Sequence, residues 1–218
     1  SLAFTVPLAG IGVAVTKMAA DFELGMHKVT SLMGGVTDQE FRKLSDAVLE
    51  LSKRMGVDAV KAADALYEAI SAGVPKENVM DFLRVASEAA IAGVTNTKVA
   101  VDALTSVINA YQLGFGKAKE VSAAMFQAVN LGKFTFEQLA GSMSVAVPLA
   151  SQLGVGFKDL LAAAATLTTQ GFSVSEAMTS IRSAMVAILT PNKQMNELLE
   201  RTGFASGEAL LRAKGLQG

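Results

Sequence analysis

Apolar and polar positions alternate at helical spacing along most of this chain. Between Ala14 and Leu32, Met18, Phe22, Met26 and Val29 recur at steps of three and four, which places them on one helical face. Gly34-Gly35 ends that run. Thr37-Asp38-Gln39-Glu40 then reads as a capping box, in which the Thr hydroxyl accepts from the Glu40 amide and the Glu side chain reaches back. Phe41, Leu44, Val48, Leu51 and Met55 follow at steps of 3, 4, 3 and 4, an apolar seam of coiled-coil type.

Glycines punctuate the rest: Gly56, Gly73, Gly93, Gly114, Gly132, Gly154 and Gly171, at intervals of 17 to 22 residues. Each is expected to close a helix in the left-handed conformation. Between them lie apolar faces such as Val60, Ala63, Tyr67 and Ile70, then Val79, Phe82, Leu83 and Ala86, then Ala100, Leu104, Val107, Ile108 and Tyr111. The intervals vary too much for a true sequence repeat. Pro75 suits the first turn of the helix after Gly73, and Thr135-Phe136-Glu137-Gln138 is a second capping box. Pro148, inside a helical run, predicts a kink or break near Val147. The nearest candidates for strands, Gly114–Gly116 and Gly132–Phe136, are short enough to be loops.

The clearest unit runs from Ala150 to Pro191. An uncharged helix from Phe157 to Gln170 ends at Gly171, and Ser173 with Glu176 opens a second helix that stops at Thr190-Pro191. This hairpin is expected to be the most deeply packed, with Glu176 and Arg182 on its wet side. Met195, Leu198 and Leu199 predict a short helix ending near Gly203, and Ala209 to Ala213 begins another. The fold expectation is all-α: a compact multi-helix bundle of about ten short helices joined by Gly-capped turns. Residues 1–35 are expected to form a leading helix that continues a longer upstream one, and residues 36–218 a helical core domain.

Composition narrows the functions. The chain has 218 residues, 51% hydrophobic and 18% charged, with a formal net charge of -1. It is apolar for its class, carries no basic stripe for nucleic acid, and with no Trp and two Tyr offers few stacking platforms. Cysteine is absent, which removes disulfides, thiol catalysis and Cys-ligated metals. The chain starts with Ser and ends at Gly, and is expected to be a segment of a longer polypeptide. Ser1–Thr16 and Gln138–Phe157 are uncharged; Pro7 and the short length of the first, and the Gly, Pro and Ser content of the second, weigh against spanning helices.

The residues offer little chemistry. His27 is the single histidine, without a His or Cys partner for a metal, and reads as a helix-surface side chain. No Gly-x-Ser-x-Gly elbow is present, and Ser142 reads as a small packing residue. The carboxylate pairs Asp38/Glu40 and Glu197/Glu200 read as a capping box and a solvated helix face, not as an acid–base pair. Gly114-Phe115-Gly116-Lys117 is only a fragment of a phosphate loop. The methionines 18, 26, 33, 178 and 185 suit either an adaptable partner surface or a helical core. No catalytic, cofactor-binding or metal-ligating residue is assigned, and an enzyme is not expected.

The order of these motifs resembles the core region of phage tail tape-measure proteins, the phage minor tail family. Asp21-Phe22-Glu23-Leu24-Gly25-Met26 with Val29 resembles the family's opening. Ala47–Gly73 is similar to its helix-Gly-helix run, and Ala124–Leu153 to its "A-x-N … T-x-x-x-L" segment. Leu153-Gly154, Leu160–Gly171 and Ile181-Arg182 through Pro191 are similar to its last run. Gly132-Lys133 departs from the family, where a small polar residue and Ser are frequent. The resemblance covers about residues 20 to 210 and rests on motif order, because each piece is helical and of low complexity.

The resemblance implies a structural virion component without a catalytic core in this region. Such proteins are long and helical, lie inside the tail tube, set its length during assembly, and leave the tail to assist genome delivery. The implied partners are the tail-tube protein, tail-assembly chaperones and further copies of the chain. Specific nucleic-acid binding is not implied, and membrane contact at infection stays open. The implied location is the virion tail, or a bacterial cytoplasm before assembly when prophage-encoded. Two other readings stand beside it: an α-helical solenoid-type interaction module, and a membrane-inserting helical protein.

Overall fold

Local capping chemistry divides the chain into helices. The computed structural model describes residues 5–216, with side chains from residue 16 onward. Among these residues eleven α-helices follow one another: α1 (Thr5–Met33), α2 (Asp38–Met55), α3 (Ala59–Ser71), α4 (Val79–Ala92), α5 (Thr97–Ala110), α6 (Ala118–Leu131), α7 (Phe136–Gln152), α8 (Phe157–Thr169), α9 (Val174–Leu189), α10 (Lys193–Thr202) and α11 (Gly207–Lys214). A 3-10 turn, Phe115–Lys117, precedes α6, and no strand occurs among the described residues. The all-α expectation holds, and so do both predicted capping boxes and the α8–α9 boundaries.

The helix ends share one device. The amides of Val57, Val74, Thr95, Leu113, Val155 and Phe172 each donate to the carbonyl five residues back, at 2.8–3.3 Å. This is the bond of a Schellman turn, which satisfies a carbonyl the helix leaves open. The residue in the left-handed conformation is not always the predicted glycine. After α4 it is Val94 and after α5 it is Gln112, both at φ 51°, while Gly93 and Gly114 have φ of -86° and -68°. Gly132 is likewise not left-handed, at φ -98°. Gly93 serves packing instead: a Cβ there would sit 2.8 Å from the Cβ of Phe136. The β-branched Val94 bears the strain in its place, which costs about 1–3 kcal/mol, with its side chain 90% exposed.

Pro75 departs from expectation, and of the kink or break expected at Pro148 the break does not occur. Pro75 lies in the turn before α4, where its carbonyl accepts from the Asn78 amide at 2.9 Å, and the helix starts only at Val79. Pro148 leaves α7 unbroken through Gln152. It lies on the exposed side together with Ser144, so water can reach the carbonyl that the missing N–H would have served.

The helices pack in two layers. α1, α3, α5, α7 and α9 stack each upon the next, and α2, α4, α6 and α8 form the second layer in the same order. The unit is therefore a helix pair. The first helices of successive pairs begin at Ala59, Thr97, Phe136 and Val174, steps of 38, 39 and 38 residues. Their caps Asp58, Asn96, Thr135 and Ser173 each use a side-chain oxygen, whereas Asn78, Lys117 and Gly156 before the second helices make no side-chain cap bond. Counted from those caps, position 4 is Ala62, Ala100, Leu139 and Ala177, and position 8 is Leu66, Leu104, Met143 and Ile181; all eight are buried. Alanine at position 4 of α3, α5 and α9 lets neighbouring helices approach, α7 carries Leu139 there instead, and the long apolar side chains at position 8 fill the core.

The most deeply packed helices are α4 and α5, each with eight of fourteen residues buried, not the α8–α9 hairpin. In α9 only five of sixteen are buried, because α4 and α5 have neighbours on both sides within their layers. The predicted face of α3 is also rotated. Its buried residues are Ala62, Ala63, Ala65, Leu66 and Ala69, while Val60, Tyr67 and Ile70 are half-buried. α1 packs against α3 through Met26 and Val29, and the missing side chain of Gly25 brings it close to Ala63.

Candidate functional site

Most residues considered for chemistry have a structural occupation. His27 lies on the exposed side of α1, its ring stacked on Phe41 of α2 at 4.6 Å and its Nε2 3.9 Å from Glu23. It ties the first two helices at their surface. Ser142 is buried in α7 and its hydroxyl donates to the Gln138 carbonyl at 2.8 Å. Lys117, the end of the glycine-bearing fragment, pairs with Glu120 one turn on. Glu197 and Glu200 are exposed on α10. Among the described residues, no group of three His, Cys, Asp or Glu stands close enough to hold a metal ion. The structure brings none of these residues together into one site.

The methionines divide. Met26, Met178 and Met185 are core residues, Met33 is half-buried, and Met18 is 54% exposed. An apolar recess of about 410 Å³ lies beside the turn between α1 and α2, lined by Met33, Val36, Leu44 and Met80 with Lys43 and Lys76. Glu40, which also borders it, is already engaged in the cap of α2.

Two exposed carboxylates are electrostatically distinctive for a structural reason. Glu40 and Glu176 each accept first from a backbone amide, that of Thr37 or Ser173, and then from the same residue's hydroxyl, which holds both below the usual carboxylate range. A depressed folded value stabilises the fold above the unfolded value of about 4.3, and that contribution is lost as pH falls through the folded values. The melting temperature should therefore be level from pH 7 to about 5 and decline below about 4. The decline should be shallower in a Glu40→Gln/Glu176→Gln variant, followed by circular dichroism. The box at Thr135 provides the contrast, because Gln138 makes the same reciprocal bonds without a titrating group.

Several polar residues not singled out in the sequence join helices. The buried Thr168 hydroxyl donates to the Ala165 carbonyl at 2.8 Å and accepts from the Lys133 amide at 3.1 Å, linking α8 to the loop before α7. Gly132 makes room for it, since a Cβ there would stand 2.9 Å from that oxygen. Asn109 donates its side-chain amide to the Ala72 carbonyl at 2.9 Å, and Lys98 pairs with Glu68; both join α5 to the end of α3. The Tyr111 hydroxyl is buried without a hydrogen-bond partner, and burial pushes its phenol up from its ordinary value. Tyr111 caps the C-terminal end of α5, with its ring edge-on to Phe157 of α8, and nothing in the local sequence sets it apart.

No described helix is long and apolar enough to cross a membrane. α7 covers most of the candidate stretch Gln138–Phe157 and is amphipathic within the stack, burying Leu139, Met143 and Val147. Of the other candidate stretch, Ser1–Thr16, residues 1–4 and the side chains of 5–15 lie outside the described residues.

What the described residues offer is a periodic stack of helices. Residues 45–218 match a family described as phage-related minor tail protein. A probable tape measure protein of Clostridium phage phiCD119 is 33% identical over 160 residues, covering 70% of this chain and 17% of that protein. The tape measure protein of Pneumococcus phage Dp-1 is 23% identical over 207 residues, covering 95% of this chain and 18% of that protein. The chain thus spans less than a fifth of either relative. No solved structure matches.

Proposed function

Because this chain belongs to the family of phage-related minor tail proteins, we propose that it is a structural, non-catalytic segment of a tape-measure protein that sets tail length during assembly and leaves the tail to assist genome delivery. The observation that carries this reading is the similarity over 95% of the chain to a tape measure protein. The internal organisation supports it, since a regular stack of helix pairs can be lengthened by whole units without redesigning a core. In this reading the chain is a component of the virion tail. Its partners are the tail-tube protein, tail-assembly chaperones and further copies of itself. The leading helix, residues 1–35, connects the core domain, residues 36–218, to the preceding part of the polypeptide.

The two-layer stack also suits the second reading, an α-helical interaction module outside a virion. Mass spectrometry of purified particles separates the two. The ruler itself is tested by an in-frame deletion of residues 97–135 from the gene, which joins the cap Asn96 directly to Phe136. The tail should shorten by about 60 Å if the segment lies in the tube as continuous helix, at roughly 1.5 Å per residue. It should shorten by only about 10 Å if the pairs stay stacked side by side at ordinary interhelical spacing. Electron microscopy of the mutant tails reads the difference, and unchanged length would overturn the ruler.

A further inference from the structure

The helix-pair repeat stops in the middle of its own pattern at α9. Counted from the cap, position 7 of the inner helices is Ala65 in α3, Ala103 in α5 and Ser142 in α7, and position 11 is Ala69, Val107 and Ala146; all six are buried. In α9 the same positions are Ser180 and Ala184, of similar size, and both are exposed. α9 has its preceding neighbours α7 and α8 in full. What differs from α3, α5 and α7 is the cover given by the helices that follow. α10 and α11 have ten and eight residues against sixteen in α9. α11 meets α9 only at its C-terminal end, where Gly207 lies so close to Ile188 that a Cβ would overlap the Ile188 carbonyl.

We propose that the face of α9 carrying Ser180 and Ala184 is a docking surface for a further helix pair of the same type, supplied by the same polypeptide. The chemistry of the partner follows from the repeat. It is a helix with aliphatic side chains at positions 4, 5, 8 and 12, as α9 itself buries Ala177, Met178, Ile181 and Met185. The relatives provide the material, since the matched region is 17% and 18% of their lengths. A covalently linked partner acts at an effective concentration in the mM range, so a modest face suffices to hold it. The inference rests on the reading of this chain as a segment of a longer tape-measure protein.

The chain contains no cysteine, so in residues 1–218 a single introduced thiol reports on this face alone, and in the complete product the labelled peptide is identified by mass spectrometry. Ser180→Cys and Ala184→Cys would be labelled with a maleimide in residues 1–218 and in the complete gene product, with Ser106→Cys, exposed on α5, as reference. Labelling at 180 and 184 should be about ten-fold slower or more in the complete product, because reaction there requires local opening, and equal in both forms at 106. Equal rates at 180 and 184 within a longer product would overturn the docking while leaving the proposed function intact. Slow labelling in residues 1–218 that quickens on dilution would overturn the assignment to the same polypeptide and place a second copy on the face. A virion in which no longer polypeptide carries this sequence would overturn the proposed function on which the inference rests.

Discussion

Leu104→Ala should lower the stability of this fold by about 2–5 kcal/mol, the range for truncating a fully buried leucine. Leu104 has no exposed surface and occupies position 8 of α5, the column also filled by Leu66, Met143 and Ile181. Four helices, α3, α4, α6 and α7, pack around α5, so the neighbourhood cannot collapse into the space without disturbing both layers. The size of the loss is one part of the expectation and its form is the other. In a stack where each pair packs mainly on its neighbours, stability is close to a sum of unit and interface contributions. Weakening the middle should therefore uncouple the two ends and broaden the urea transition, lowering the apparent m-value. Leu211→Ala truncates an equally buried leucine on α11, at the end of the stack, and should leave the main transition sharp. Urea titrations followed by circular dichroism read both variants, and a sharp unchanged transition in Leu104→Ala would contradict the description of the stack.

Gly93→Ala is the second large effect, a destabilisation of about 1–3 kcal/mol from overpacking. The added Cβ would lie 2.8 Å from the Cβ and 2.9 Å from the Cγ of Phe136. Phe136 cannot swing aside, because it is buried, opens α7 next to the cap Thr135, and stacks on Phe126 at 5.0 Å. The layers must part at that point. Gly141→Ala in α7 is the matched control: a Cβ there meets nothing within 4 Å on an exposed helical position. It should stabilise the chain by about 0.5–1 kcal/mol through helix propensity alone. Opposite signs for two Gly→Ala changes would show that the first is a contact between helices and not a conformational demand of the backbone.

Helix boundaries were legible because they are local. Thr37 with Glu40, Thr135 with Gln138, and Ser173 with Glu176 are each decided within four residues, and all three form reciprocal caps. The repeat is also present in the sequence but is hidden when the glycines are taken one at a time. The helix-ending glycines taken two apart recur every 37 to 41 residues, which is the helix pair. Single intervals look irregular because the two turns within a pair differ in length and in capping. The face of α3 was misread because alanine gives little hydropathy contrast: Val60, Tyr67 and Ile70 mark the apparent stripe, while the alanines beside it carry the close packing. The left-handed positions at Val94 and Gln112 had no signal, since neither residue type favours that conformation. The side chains weighed for catalysis were few, and the structure scatters them over separate helices. The link from Thr168 to Lys133 joins residues 35 apart, a distance over which sequence alone carries no geometric information.

The two-layer order has a mechanical consequence. The extensive helix contacts are between helices adjacent in the chain or separated by one helix, with only local touches such as Gly93 on Phe136 reaching one helix further, so little of the chain is clamped between distant parts of the sequence. A pull on either end of such a stack loads one terminal helix pair at a time. Each pair can peel from the next while the remainder keeps its shape, so the resistance is a succession of small steps and not one barrier for the whole domain. The same order lets the stack rebuild from whatever portion is still folded, since each returning pair finds its packing surface already in place.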